Sequence, residues 1–173
     1  DEDERVDEVI KKVREDLRKL LEDSERVVKR SKEELDRWRK KVEDVMRDSD
    51  RRLEELRRDK RLEEIKRRSE KTLKEAEDLI RTIKRISEKT LEEDRELIKR
   101  AEEEVTRIEE EAKRGDNREE VIKELKKLID KLREDSKKTI EENKKMNKDA
   151  ADEIEKIIED NRRLIKRIEE EDR

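Results

Sequence analysis

Apolar and small residues recur every three or four positions along almost the whole chain, and only two short stretches interrupt them. In the first third they fall at 6, 10, 13, 17, 20, 24, 28, 31, 35, 38, 42, 45, 49, 53 and 56. A stripe of that period lies on one face of an α-helix, and a strand would need a period of two. The intervening positions are almost all Glu, Lys, Arg or Asp, so each helix has one face to bury and a charged remainder. With 64% of 173 residues charged, disorder is the competing reading. Disordered chains usually carry a large unbalanced charge and many Pro or Gly residues. Here 53 basic and 57 acidic side chains nearly cancel, Pro is absent and Gly occurs once. The dominant residues are good helix formers, and the scarcity of β-branched, aromatic and turn residues excludes strands.

The plainest loop is Lys113-Arg114-Gly115-Asp116-Asn117-Arg118-Glu119-Glu120. Basic residues close a helix favourably, and Gly115 can take the left-handed conformation just past its end. Asp116 or Asn117 then caps the next helix, with Glu119 or Glu120 completing a capping box. A second boundary lies between Leu56 and Leu62, where the stripe loses register: Asp59, Lys60 and Glu63 stand where core residues are due. Asp59 is the expected cap there. The spacing thus predicts helices over 2–58, 60–114 and 117–173, each about 80 Å long at 1.5 Å per residue. Short connections make neighbouring helices antiparallel. The expected fold is all-α: an elongated up-down-up three-helix bundle forming a single domain over 1–173.

The stripe of the second helix advances 50 residues in 14 steps and that of the third 47 in 13, or 3.57 and 3.62 per step. These values straddle the straight-helix period, so the bundle is coiled-coil-like with little or weak left-handed supercoil. Apolar residues divide 16, 15 and 16 among the helices. Three helices with roughly fifteen layers offer about 45 core seats, so the chain can fill one thin core by itself.

Ser, Thr and Asn total fifteen, and twelve of them lie on the stripes: Ser24, Ser31, Ser49, Ser69, Thr72, Ser87, Thr90, Ser136, Thr139, Asn143, Asn147 and Asn161. Folding the chain at its two turns brings these residues to common heights. Ser49 faces position 68, beside Ser69, which faces 163, near Asn161. Ser31 faces 86, beside Ser87, which faces 145, between Asn143 and Asn147. Ser24 faces 93, between Thr90 and Asp94, and Asp94 faces 138, beside Thr139. A buried polar group without a partner costs about 1–3 kcal/mol, so three such layers penalise a slipped register, which apolar layers alone tolerate. The competing reading is that the hydroxyls are spacers bonded to their own i−4 carbonyls. It is weakest for the three Asn residues, whose amides need partners beyond their own helix. Trp38, the single aromatic, faces positions 79 and 153, with Ala76, Ala150 and Ala151 within a turn, a large residue opposite small ones.

Other chemistry finds little support. There is no Cys or His, hence no disulfide, no thiolate site and no Glu-x-x-His metal pair. One glycine cannot build a phosphate loop. No Ser or Thr has an evident base beside it, and the basic clusters are broken by carboxylates, unlike a nucleic-acid stripe. No run approaches the ~18 apolar residues of a membrane span, and no signal segment is evident. The chain is expected to be soluble, with no catalytic, cofactor or metal residues and no nucleic-acid or membrane partner.

Near-equal helix lengths, faces of Glu/Lys/Arg/Asp, the absence of Cys, His and Pro, and aligned Ser/Thr/Asn layers resemble a computationally designed helical bundle with buried hydrogen-bond networks. Spectrin-type three-helix repeats are similar in topology but have shorter helices and more varied surfaces. The resemblance covers the whole chain and rests on composition and architecture, so it carries over no functional residue. It implies a structural scaffold without a natural biochemical function and requiring no partner. The alternative is one component of a designed heterodimer or switch, its core completed by a helical partner or by self-association.

Overall fold

The computed structural model describes residues 1–56, 61–115 and 117–171. Three helices, α1 (Glu2–Glu54), α2 (Leu62–Arg114) and α3 (Arg118–Glu171), account for nearly all of them, and no strand occurs among the described residues. The protein is an all-α three-helix bundle.

Local chemistry explains where the helices start and stop. The Asp1 carboxylate accepts from the Asp3 amide at 3.3 Å, and the Asp1 carbonyl accepts the first helical bond, from Arg5. Glu2, Asp3 and Glu4 in the first turn of α1, and Arg51 and Arg52 in its last, suit the helix dipole. α2 follows the same rule, with Glu63 and Glu64 at its start and Lys113 and Arg114 at its end. The end of α3 breaks it, having no basic residue in the last turn. Two pairs, Arg52 of α1 with Glu169 and Arg61, just before α2, with Glu171, offset the misplaced carboxylates.

Both boundaries fall in the expected stretches, with differences in detail. α1 ends at Glu54, and its last turn tightens as the Leu56 amide donates to the Leu53 carbonyl at 3.1 Å. α2 starts at Leu62 rather than 60, the Arg61 carbonyl accepting its first bond. Positions 57–60, including the expected cap Asp59, lie outside the described residues, as do Asp116 and the last two positions expected in α3. Gly115 does not take the left-handed conformation open to it: its φ is not positive. Asn117 holds the position whose carbonyl accepts the first bond of α3, from Val121 at 3.0 Å. Its side-chain Oδ1 is buried without a hydrogen-bond partner, so the amide does not cap the helix as expected.

The chain divides into two compact units. Unit 1 comprises Asp1–Lys29 and Ser87–Asn143. Its core runs along Val6, Ile10, Val13 and Leu17 of α1, Ile98 to Ile108 of α2, and Val121 to Ile129 of α3. Arg14 meets Glu109 at 2.5 Å and Arg95 meets Glu25 at 3.6 Å, so α1 and α2 run in opposite directions. Arg118 meets Asp3 and Arg133 meets Asp16, so α1 and α3 run in the same direction.

Unit 2 comprises Arg30–Ile86 and Lys144–Arg173, less the positions not described. Leu35, Val42, Leu73, Ala76, Ile80, Ala150, Ile154 and Ile158 form its larger cluster, and Leu53, Leu56, Ile65, Ile165 and Ile168 a smaller one. Trp38 packs against the cluster that holds Ala76 and Ala150, as large-against-small packing requires, and the Lys41 ammonium lies 5.0 Å from its ring centre. Asp36 pairs with Lys84 across α1 and α2, and that bond holds the Asp36 carboxyl below its ordinary range.

Candidate functional site

The polar residues of the stripes are the only candidate site the sequence offers, and the structure separates them into groups. In unit 2, Asn161 of α3 lies between the other two helices. Its Oδ1 accepts from the Ser69 hydroxyl of α2 at 2.5 Å, and its Nδ2 donates to Ser49 Oγ of α1 at 2.8 Å. All three side chains are 2% exposed, so the bonds form without competing water. An amide presents its acceptor and its donor on opposite edges, which is what spanning two neighbours requires. Ser69 meets Asn161, two residues from position 163, its expected opposite.

In unit 1, Asn143 Nδ2 donates to Ser87 Oγ at 3.1 Å, with both residues buried. Ser24 is also buried, and its hydroxyl bonds the Asp94 carboxylate of α2. Burial pushes the Asp94 carboxyl above its ordinary value, an effect opposed by the Ser24 bond and reinforced by the neighbouring Glu93 charge. Asp94 is the polar participant missing from the twelve. It sits on the α2 stripe, beside the position expected to face Ser24, and stands outside the twelve because those are uncharged residues.

Other stripe residues are placed differently. Thr72 and Thr139 are half-buried, and their hydroxyls donate to their own i−4 carbonyls, those of Arg68 and Asp135. For these two, the spacer reading is correct and the expectation of an interhelical role is not. Thr82 and Thr106, which lie off the stripes, bond the same way. Ser31 is buried at 3% exposure and its Oγ has no hydrogen-bond partner. Ser136 is half-buried, again with an unpartnered Oγ, and Thr90 and Asn147 are half-buried.

These groups can fix helices against one another. They are hydroxyls and amides, with the Asp94 carboxylate beside Ser24 and no histidine or cysteine among them, and no cluster of His, Cys, Asp or Glu suited to a metal occurs among the described residues. No helix is long and apolar enough to cross a membrane. Comparison with known proteins found no family model, no curated protein and no solved structure that matches the chain.

Proposed function

We propose that this chain is a designed structural scaffold without a natural catalytic activity, in which polar layers of the core set helix register while apolar layers supply stability. One observation carries the reading: a single amide, Asn161, bonds hydroxyls from both other helices at one height. Sliding any one helix by a turn moves it by about 5.4 Å and breaks at least one of these bonds. The pairs Asn143–Ser87 and Ser24–Asp94 add the same constraint in unit 1. In this scaffold the whole chain acts as one domain and its polar layers as one network. Design origin rests on the evenness of the three helices and on surfaces composed almost wholly of charge.

The test is replacement of Asn143, Asn147 and Asn161 by Leu. The triple variant is expected to remain helical by circular dichroism but to populate more than one assembly state by light scattering. A single well-ordered species would overturn the register argument.

A second reading, a component whose core is completed by a partner helix, is favoured by one part of unit 1. No residue of α3 between Ile129 and Asn143 is buried, Leu97 of α2 is 46% exposed, and Ser136 Oγ lacks a partner. Binding of a hydrophobic dye by the purified chain would support that reading. A stable monomer that leaves the dye dark would support the first.

A further inference from the structure

We propose that a basic groove between α2 and α3 of unit 2 binds a tetrahedral oxyanion such as phosphate or sulfate. The groove measures about 340 Å³ and is lined by Arg68 and Thr72 from α2 and by Asp160, Asn161, Arg163 and Arg167 from α3. Three guanidinium groups therefore face one carboxylate. None of the three forms an ion pair or hydrogen bond through its side chain with another described residue, whereas nearby Arg52 and Arg61 are paired with Glu169 and Glu171.

Arg163 and Arg167 stand one turn apart on the same helix, the spacing at which like charges destabilise and opposite charges attract. Arg68 brings a third positive charge from the other wall. Asp160 lines the groove and Glu64 and Glu171 line the adjoining one, yet no carboxylate among the described residues pairs with these three guanidinium groups. A dianion with four oxygens can bridge them, since guanidinium forks match tetrahedral oxyanions through paired N–H donors. Asn161 is 2% exposed and its side chain is bonded to Ser49 and Ser69, so it forms the floor of the groove and leaves the anion contacts to the guanidinium groups. Thr72 contributes no donor, because its hydroxyl hydrogen is committed to the Arg68 carbonyl. Asp160 opposes any anion, but three guanidinium charges outweigh its one, and the net positive lining attracts a divalent oxyanion more strongly than a monovalent one. The chain as a whole carries −4, so attraction here comes from local arrangement and not from net charge.

The test uses the full chain at pH 7.5, following arginine Nε–Hε resonances while phosphate, sulfate or chloride is added at constant ionic strength. Phosphate and sulfate are expected to give saturating shifts, in the millimolar range, at Arg68, Arg163 and Arg167, and chloride none. Arg163→Gln with Arg167→Gln is expected to weaken binding at least tenfold. These side chains are exposed and Gln is a comparable helix former, so the fold is retained. Arg14→Gln, which removes a guanidinium paired with Glu109 in unit 1, is expected to bind as the parent does. Identical non-saturating shifts with all three anions, or undiminished binding by the double variant, would overturn the proposal.

Discussion

Replacing Asn161 by Leu tests the interhelical polar contact most directly, because the side chain keeps its approximate size and loses both hydrogen bonds. A buried intramolecular bond contributes a net ~0.5–1.5 kcal/mol, so two are worth about 1–3 kcal/mol. The orphaned Ser49 and Ser69 hydroxyls have a fallback. Each can turn to its own i−4 carbonyl, that of Val45 or Ile65, as Thr72 and Thr139 do. This restores one bond per hydroxyl and leaves an acceptor unused, so the expected loss is about 1–2 kcal/mol by urea denaturation. Adding Ser49→Ala and Ser69→Ala to the Leu variant removes the stranded groups. That triple variant is expected within about 1 kcal/mol of the parent or above it, since apolar replacement of all partners is nearly neutral. In the Asn161 background the same two Ser→Ala changes are expected to destabilise, and the difference between backgrounds is the coupling energy. Equal costs in both backgrounds would refute the claim that the three side chains act together.

Three further outcomes follow from single residues. Asp94→Asn is expected to raise stability at neutral pH. The folded carboxyl titrates above its unfolded value, so the wild type loses stability as pH rises from the ordinary Asp range through the raised value; the advantage of Asn shrinks to nothing as pH falls below that window. A variant-minus-parent difference that does not change with pH would remove burial as the cause. Leu125→Ala, at a side chain with no exposed surface in the core of unit 1, is expected to cost about 2–5 kcal/mol in the same denaturation assay. Gly115→Ala is expected to raise the thermal midpoint slightly, by about 0.4–1 kcal/mol of stability. Its φ is not positive, and the nearest atom to an added Cβ is Asn117 Oδ1 at 3.9 Å, an ordinary contact.

The helices were legible because their signal is redundant. Each repeats its period for about fourteen turns, so the register slip between Leu56 and Leu62 stood out without any glycine or proline to mark it. Their ends were less so. α1 stops at Glu54 although Leu56 continues its stripe, since the chain must leave the helix before it can turn back. Gly115 is ambiguous for a different reason: glycine permits the left-handed conformation without demanding it, and Gly115 takes an ordinary φ. The weakly buried stretch of α3 around Ser136 was also hidden, because Leu132, Ser136 and Thr139 continue the stripe whether or not neighbouring helices come close enough to cover them.

Which polar residues tie helices together depends on whether a side chain can be satisfied within its own helix. A threonine hydroxyl on a helix lies within reach of the carbonyl one turn back, so the positions of Thr72 and Thr139 on the stripe carry no information about a partner. A carboxamide has a donor edge and an acceptor edge pointing apart, and one carbonyl cannot serve both. Asn161 therefore reaches two helices, and the hydroxyls it engages gain an interhelical role from it. Asp94 obeys the same logic with charge in place of an amide: as an acceptor only, it can be met by a hydroxyl from another helix, and Ser24 supplies one. The residue to search for on a helical stripe is thus the one whose polar atoms exceed what its own turn can satisfy, whether or not it is charged. Serine becomes informative only when such a residue stands opposite.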